Sequence, residues 1–202
     1  MKILCIGDSN TYGYDPRSYI GSRYPEEVRW TDRLSGCKVV NCGVNGMTVP
    51  RESGRYAGLI SINEPDLVIV MLGTNDMKRK FSYCAMDIAG EMRQFLEKVS
   101  ARNEFRMDGK MKILLISPPL IGERIRDSWL GDSFGYERAR EVSRELASWY
   151  RELADSYGCM FLDAAEVVTA SFDDSIHLDA AEQRRLAEAI YDVLKTNEVI
   201  RG

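Results

Sequence analysis

Apolar residues fall along this chain in two rhythms. Short, near-continuous runs rich in Val, Ile and Leu occupy residues 2–6, 38–42, 66–72, 112–117 and 159–162. Runs of this length, apolar without alternation, suit strands covered on both faces, as in a parallel sheet. Between several of them the spacing becomes helical. Ile88, Met92, Phe95, Leu96 and Val99 recur on one face, as do Ala139, Val142, Leu146, Tyr150, Leu153 and Tyr157. Near the C-terminus Leu186, Ile190, Val193 and Leu194 do the same. Charged residues fill the opposite faces, so each stripe is a core-facing surface. Asp179, with Glu182 three residues on, marks the start of the last helix as an N-cap completed by a capping box.

Strands alternating with helices are joined by right-handed crossovers. The pattern therefore predicts an α/β fold, a three-layer α/β/α sandwich around a five-stranded parallel, flavodoxin-like sheet. The 202 residues suit a single domain spanning 1–202, with no repeat, linker or low-complexity segment. Sheets of this kind bind ligands beyond the carboxyl ends of their strands. Two irregular stretches, 15–27 and 118–135, come after strand ends directly or nearly so, and are either site walls or plain connections.

Composition narrows the function classes. Hydrophobic residues make up 45% and charged residues 29%, as in an ordinary globular protein. A net charge of -4 with no basic run argues against nucleic acid and against a polybasic membrane patch as partners. The apolar part of the first run is too short for a signal-peptide core, and no segment is long enough to span a membrane. Five cysteines, an odd number, fit reduced thiols, and the expectation is a cytoplasmic protein. Cys37 and Cys42 are the closest pair, and His177 is the only histidine, which leaves no ligand set for zinc. No metal and no other cofactor is expected.

The residues able to do chemistry come after the strands. Ser9 lies in "CIGDSNTYG" just after the first run, and His177 in "DDSIHLDAAEQ" just before the last helix. Asp174 stands three residues before His177 and Asp173 four before, both within reach of an imidazole nitrogen across a short loop. Asn75 in "MLGTND" offers a side-chain amide past the third run, and Gly43 in "NCGVNGMTV" a backbone N–H past the second. Taken alone, Ser9, Gly43 and Asn75 fit strand-ending turn chemistry, and His177 fits a solvated loop histidine beside ordinary acidic residues. Together they supply a nucleophile, a base, an orienting carboxylate and two oxyanion donors, the set that acyl transfer needs. The competing class is a flavodoxin-like binding or signalling module with a phosphate at the first loop. Against it, no glycine-rich phosphate fingerprint is present, and "SPPL" after the fourth run carries no lysine.

The segments "GDSN" (7–10), Gly43 in "NCGVNG", "GTND" (73–76) and "DSIH" (174–177) resemble the four sequence blocks of the SGNH, or GDSL, hydrolases, in family order and at family-like spacing. They span nearly the whole chain. "GDSNTYGY", "VRWT" and "DLVIVMLGTND" are similar to the bacterial arylesterase and acyltransferase branch, whose members act on small acyl esters and in some cases transfer the acyl group to alcohols or peroxide. The resemblance implies Ser9 as nucleophile, His177 as general base and Asp174 as its orienter. It implies an oxyanion hole built from the Ser9 N–H, the Gly43 N–H and the Asn75 amide. Asn10 departs from the family name, which has Leu there, and is expected to alter the wall of the site rather than its chemistry. With no long apolar lid evident, the expected partner is a small-molecule, short-chain acyl ester. Carbohydrate O-acetyl esters, thioesters and lysophospholipids are the alternatives within the family. The branch includes oligomers, and Trp129, Leu130 and Phe134 are candidate contact residues for a homo-oligomer, unless their loop simply packs on its own domain.

Overall fold

A computed structural model of the chain describes residues 1–50, 54–104 and 111–200, with the side chains of 54, 55 and 102–104 left undescribed. Its sheet is built from β1 (Lys2–Gly7), β2 (Lys38–Gly43), β3 (Leu67–Met71), β4 (Lys112–Ser117) and β5 (Met160–Asp163). The helices are α1 (Ser9–Tyr12), α2 (Gly54–Asn63), α3 (Ala85–Glu104), α4 (Gly131–Phe134), α5 (Glu137–Tyr157) and α6 (Ala180–Thr196). All strand pairs are parallel, in the order β2-β1-β3-β4-β5. The expected architecture is the observed one.

The near-continuous apolar runs have the anticipated reason. All of β3, in the middle of the sheet, is buried, and its successive side chains go to opposite faces. Leu4, Ile6, Val68 and Val70 meet Tyr56, Ile88, Met92, Phe95, Leu146 and Tyr150 of α2, α3 and α5. Ile3, Cys5, Leu67 and Ile69 meet Trp30 and the Leu186, Ile190 and Leu194 stripe of α6. Each such aliphatic side chain, taken fully out of water, stabilises the fold by about 1.5–3 kcal/mol. The edge strands β2 and β5 are mostly half-buried, so the two-sided cover expected of most runs holds for the inner strands.

One helix lies outside the predicted stripes, and one cap differs from expectation. Helix α2 carries no clear stripe: Tyr56 and Ile60 are buried while Ile62 is 82% exposed. At the start of α6, Asp179 is the N-cap and accepts from the Ala181 and Glu182 N–H groups at 2.8 and 3.0 Å. Glu182 does not close a capping box. Its Oε2 accepts instead from the Thr169 N–H at 3.0 Å, and so satisfies a donor of the chain entering the site loop.

The strand order positions the site. From β1 the chain crosses to β2 on one side and then returns to β3 on the other, so the order reverses at β1. Gly7 at the end of β1 lies level with Gly43 of β2 and Met71 of β3. The segments after these residues emerge together at the switch point, where open α/β sheets take their ligands. Among the described residues, no helix is long and apolar enough to cross a membrane.

Candidate active site

Ser9 opens α1, a single turn that starts as soon as β1 ends. Asp8 is its N-cap, and Asp8 Oδ1 accepts from the Asn10 N–H at 2.9 Å. Burial raises the Asp8 carboxyl above its usual range, opposed by hydrogen bonds from the Asn10 amide and the Thr74 hydroxyl. The turn places Ser9 in the lining of a cavity shared with segments that follow β2, β3 and β4 and with the loop before α6.

His177 comes from the loop ahead of α6, yet its Nε2 lies 2.8 Å from Ser9 Oγ. The loop is fixed from within. Asp174, fully buried, accepts at Oδ1 from the Ile176 and His177 N–H groups, each at 2.9 Å, and its Oδ2 lies 2.5 Å from His177 Nδ1. A carboxylate so placed sets the proton on Nδ1 and leaves Nε2 as the acceptor for the Ser9 hydroxyl. The Asp174 carbonyl accepts from Ser128 Oγ at 2.7 Å, and the Ser175 carbonyl from the Gly122 N–H at 2.8 Å, which bind the loop to the 118–135 stretch. Tyr14 stacks on the imidazole, ring centroids 4.1 Å apart at 25°. Asp173, the other carboxylate considered, is exposed and pairs weakly with Ser171 Oγ at 3.4 Å.

The opposite side of the cavity corrects one sequence expectation. The Gly43 N–H is donated to Asn41 Oδ1 at 2.9 Å, and a Cβ at Gly43 would fall 2.2 Å from the Tyr12 nitrogen. Gly43 is thus a point of close approach between β2 and α1, and its N–H is not offered to a ligand. Gly46 lines the cavity instead. The Met47 N–H donates to the Val44 carbonyl at 3.1 Å, which makes 44–47 a tight turn, and Gly46, at φ +77°, holds its left-handed position. Asn75 donates one Nδ2–H to the Met47 carbonyl at 3.0 Å, which leaves its second N–H for a ligand. The Asp76 carboxylate accepts from the Val49 N–H at 3.2 and 3.1 Å. Burial drives that carboxyl up to about 7, against the lowering effect of the Val49 hydrogen bond.

The cavity measures about 120 Å³, below the roughly 300–1,000 Å³ of sites that enclose drug-sized ligands. Trp129, Leu130 and Phe134 form an apolar wall, so the 118–135 stretch is a site wall. The 15–27 stretch touches this wall through Tyr19, whose ring centroid is 6.0 Å from that of Trp129. Phe134 is buried in its own domain, which removes it from the candidate subunit contacts; Trp129 remains half exposed. Lys78 is half-buried with its ammonium 5.6 Å from the Phe134 ring, and burial pushes it below the usual lysine value. Asn10 is not on the wall, contrary to expectation. Its side chain turns towards the chain on either side of His177.

Sequence reading therefore missed Gly46, Tyr14, Lys78 and the orientation of Asn10. Only Gly46 carried a usable signal, since Asn-Gly marks a turn with a left-handed residue. The assembled groups can deprotonate a hydroxyl, attack a carbonyl and hold the resulting oxyanion. The turn after β1 presents Ser9 to His177 instead of forming the phosphate cradle of the competing expectation.

Comparison with known proteins agrees with this chemistry. Residues 5–185 match the GDSL-like lipase/acylhydrolase family. An acetylxylan esterase from Xylanibacter ruminicola is 27% identical over 222 residues, covering 96% of this chain and 43% of that protein. The chain thus spans less than half the length of this curated relative. Among solved structures, a carbohydrate acetylesterase from Sinorhizobium meliloti matches with a TM-score of 0.84 at 30% identity, over 98% of this chain and 99% of that one. The inhibitor-bound aryl esterase of M. smegmatis gives 0.85 at 28% identity over the same shares. With the match running from β1 into α6, the chain belongs to the GDSL-like lipase/acylhydrolase family of ester hydrolases.

Proposed function

We propose that this chain hydrolyses short-chain acyl esters of small alcohols through an acyl-enzyme on Ser9. The observation that carries the reading is the continuous path from Ser9 Oγ to His177 Nε2 at 2.8 Å and from His177 Nδ1 to Asp174 Oδ2 at 2.5 Å. His177 takes the serine proton as Oγ bonds to the ester carbonyl carbon, and Asp174 stabilises the imidazolium. The Ser9 N–H, the Gly46 N–H and the free Asn75 N–H receive the oxyanion. Collapse breaks the bond to the alcohol, which leaves with the proton from His177. Water then repeats the steps and releases the acid. An alcohol that arrives before water gives acyl transfer by the same route.

The small cavity and its Leu130 and Phe134 wall support acetyl or a similarly short acyl group. The relatives named for acetylated carbohydrates and aryl esters support a ring-bearing alcohol half, and the Trp129 ring beside Tyr19 is the face it would meet. The reading places one domain in the cytoplasm, in keeping with an odd number of cysteines, five. It also includes a homo-oligomer through the exposed Trp129 and Ile20 surface. The test is a panel of p-nitrophenyl esters from acetate to palmitate with acetylated sugars alongside, and fluorophosphonate labelling located by mass. Hydrolysis of the short members with label on Ser9 is expected. Labelling elsewhere, or activity unchanged in Ser9→Ala, would sink the proposal.

A further inference from the structure

Asn10 is 1% exposed and sits beside the nucleophile, where its side chain cannot reach solvent. Its Oδ1 accepts from the Leu178 N–H at 3.0 Å, and its Nδ2 donates to the Ile176 carbonyl at 3.3 Å. The single amide thus bridges the residues before and after His177. Its own carbonyl accepts from Trp30 Nε1–H at 3.1 Å and, at the limit of reach, from Gln183 Nε2–H at 3.5 Å. Gln183 Oε1 accepts in turn from the Trp30 N–H at 3.0 Å, and both residues are fully buried. One side chain and one carbonyl therefore tie the nucleophile turn to the base loop and to the start of α6.

We propose that Asn10 is a positioning residue that sets the approach of His177 Nε2 to Ser9 Oγ. The inference rests on the nucleophile and base roles given above to Ser9 and His177. Those two residues lie 168 positions apart and come from opposite ends of the chain. Ser9 is held by β1, whereas His177 hangs on an irregular loop. Asp174 fixes that loop internally, but it makes no bond to the nucleophile turn. Asn10 supplies that bond, one residue from Oγ. The position needs an acceptor for one N–H and a donor for one carbonyl, side by side in a plane, which an asparagine amide provides. Leu offers neither. Asp offers two acceptors and would repel the Ile176 carbonyl. Because a misplacement of about 1 Å costs on the order of 10²-fold in rate, loss of this bridge acts on turnover and not on folding alone.

The test compares wild type with Asn10→Leu, on a short p-nitrophenyl ester and on the rate of fluorophosphonate labelling per folded molecule. His177 is the sole histidine, so its ring resonances report the site without ambiguity. Expected are parallel falls in kcat and labelling rate of about 10–100-fold, with KM changing less than about threefold, and shifted His177 ring signals. Should Asn10→Leu not fold, Asn10→Ser, which leaves room and loses the bridging amide, is read in the same way. A folded variant with kcat, labelling rate and His177 signals all near wild type would overturn the proposal, whatever its melting temperature. Wild-type labelling separates the two claims. If wild type is not labelled at Ser9, the esterase reading fails; if it is labelled and the variants match it, only the positioning role fails.

Discussion

The two sides of the cavity are built by different means. The base side, 171–179, is a loop that holds the ring locally, with Asp174 capping Ile176 and His177 and binding the imidazole, while Ser128, Gly122 and Asn10 anchor it from outside. The oxyanion side, 44–49, is a turn held from outside. Asn75 and Asp76 grasp it from the end of β3, across sequence gaps of 28 and 27 residues. The Asp174–His177 geometry is thus set within the loop, while the approach of that loop to Ser9 depends on Asn10 from the other end of the chain. The 44–47 turn, closed by its own Met47–Val44 bond, keeps its place against Asn75 only while the ends of β2 and β3 keep theirs.

The contrast is tested most severely on the base side. On the proposed mechanism His177→Ala removes the proton acceptor, and it should lower kcat by about 10⁴-fold or more, read per folded protein. Asp174→Asn should approach that figure, because an amide facing Nδ1 favours the wrong tautomer. Asp173→Asn should change kcat less than about threefold, since Asp173 is exposed and its carboxylate meets the Ser171 hydroxyl only weakly, at 3.4 Å. Paired kinetics that reversed the order of the two aspartates would break the account of the loop.

Removal of one oxyanion donor is a smaller loss. Asn75→Ala should cost about 10²–10³ in kcat with KM moving much less. The same change also frees the Met47 carbonyl, so thermal unfolding must be run beside it. Gly46→Ala probes the turn itself. At φ +77° an alanine adds roughly 1–2 kcal/mol of strain, and the expected fall in kcat is about tenfold. Gly43→Ala should act differently, because its Cβ would meet the backbone of α1 rather than substrate. It should lower the melting temperature first. A Gly43→Ala protein of normal stability but low kcat would return Gly43 to the oxyanion side.

The same division explains what could be read from the sequence. The inner strands, α3, α5 and α6 were legible because burial on a face repeats at a fixed period. Ser9 and the Asp174–His177 pair were legible because their geometry is local. Helix α2 was not, since Gly58 and the exposed Ile62 blur its stripe. Gly43 and Gly46 both stand at or after the end of β2, and only the Asn41 bond and the approach of Tyr12 separate their roles. Those contacts depend on where β1 and α1 lie, which no local pattern states. Asn10 was misjudged for the same reason, its partners being at 176 and 178.

A last expected effect, on stability rather than on turnover, concerns Asp76 and the cost of holding the 44–49 turn from within the core. Its folded carboxyl titrates near 7, against 3.8 for the ordinary group, mainly through burial and with a further push from the Asp8 charge. Between these values the folded protein holds a proton that the unfolded chain has released. Stability from this group therefore falls as pH rises from about 4 to about 7 and is flat above, with a slope of at most about 1.4 kcal/mol per unit. Asp76→Asn keeps a carbonyl oxygen for the Val49 N–H and has nothing to titrate. Its stability relative to wild type should rise across that window and then level off. Urea unfolding of both proteins at pH 5, 6, 7 and 8 gives the difference curve. A flat difference would mean that Asp76 is ionised throughout, and that the turn is held by a fixed charge instead of a titrating one.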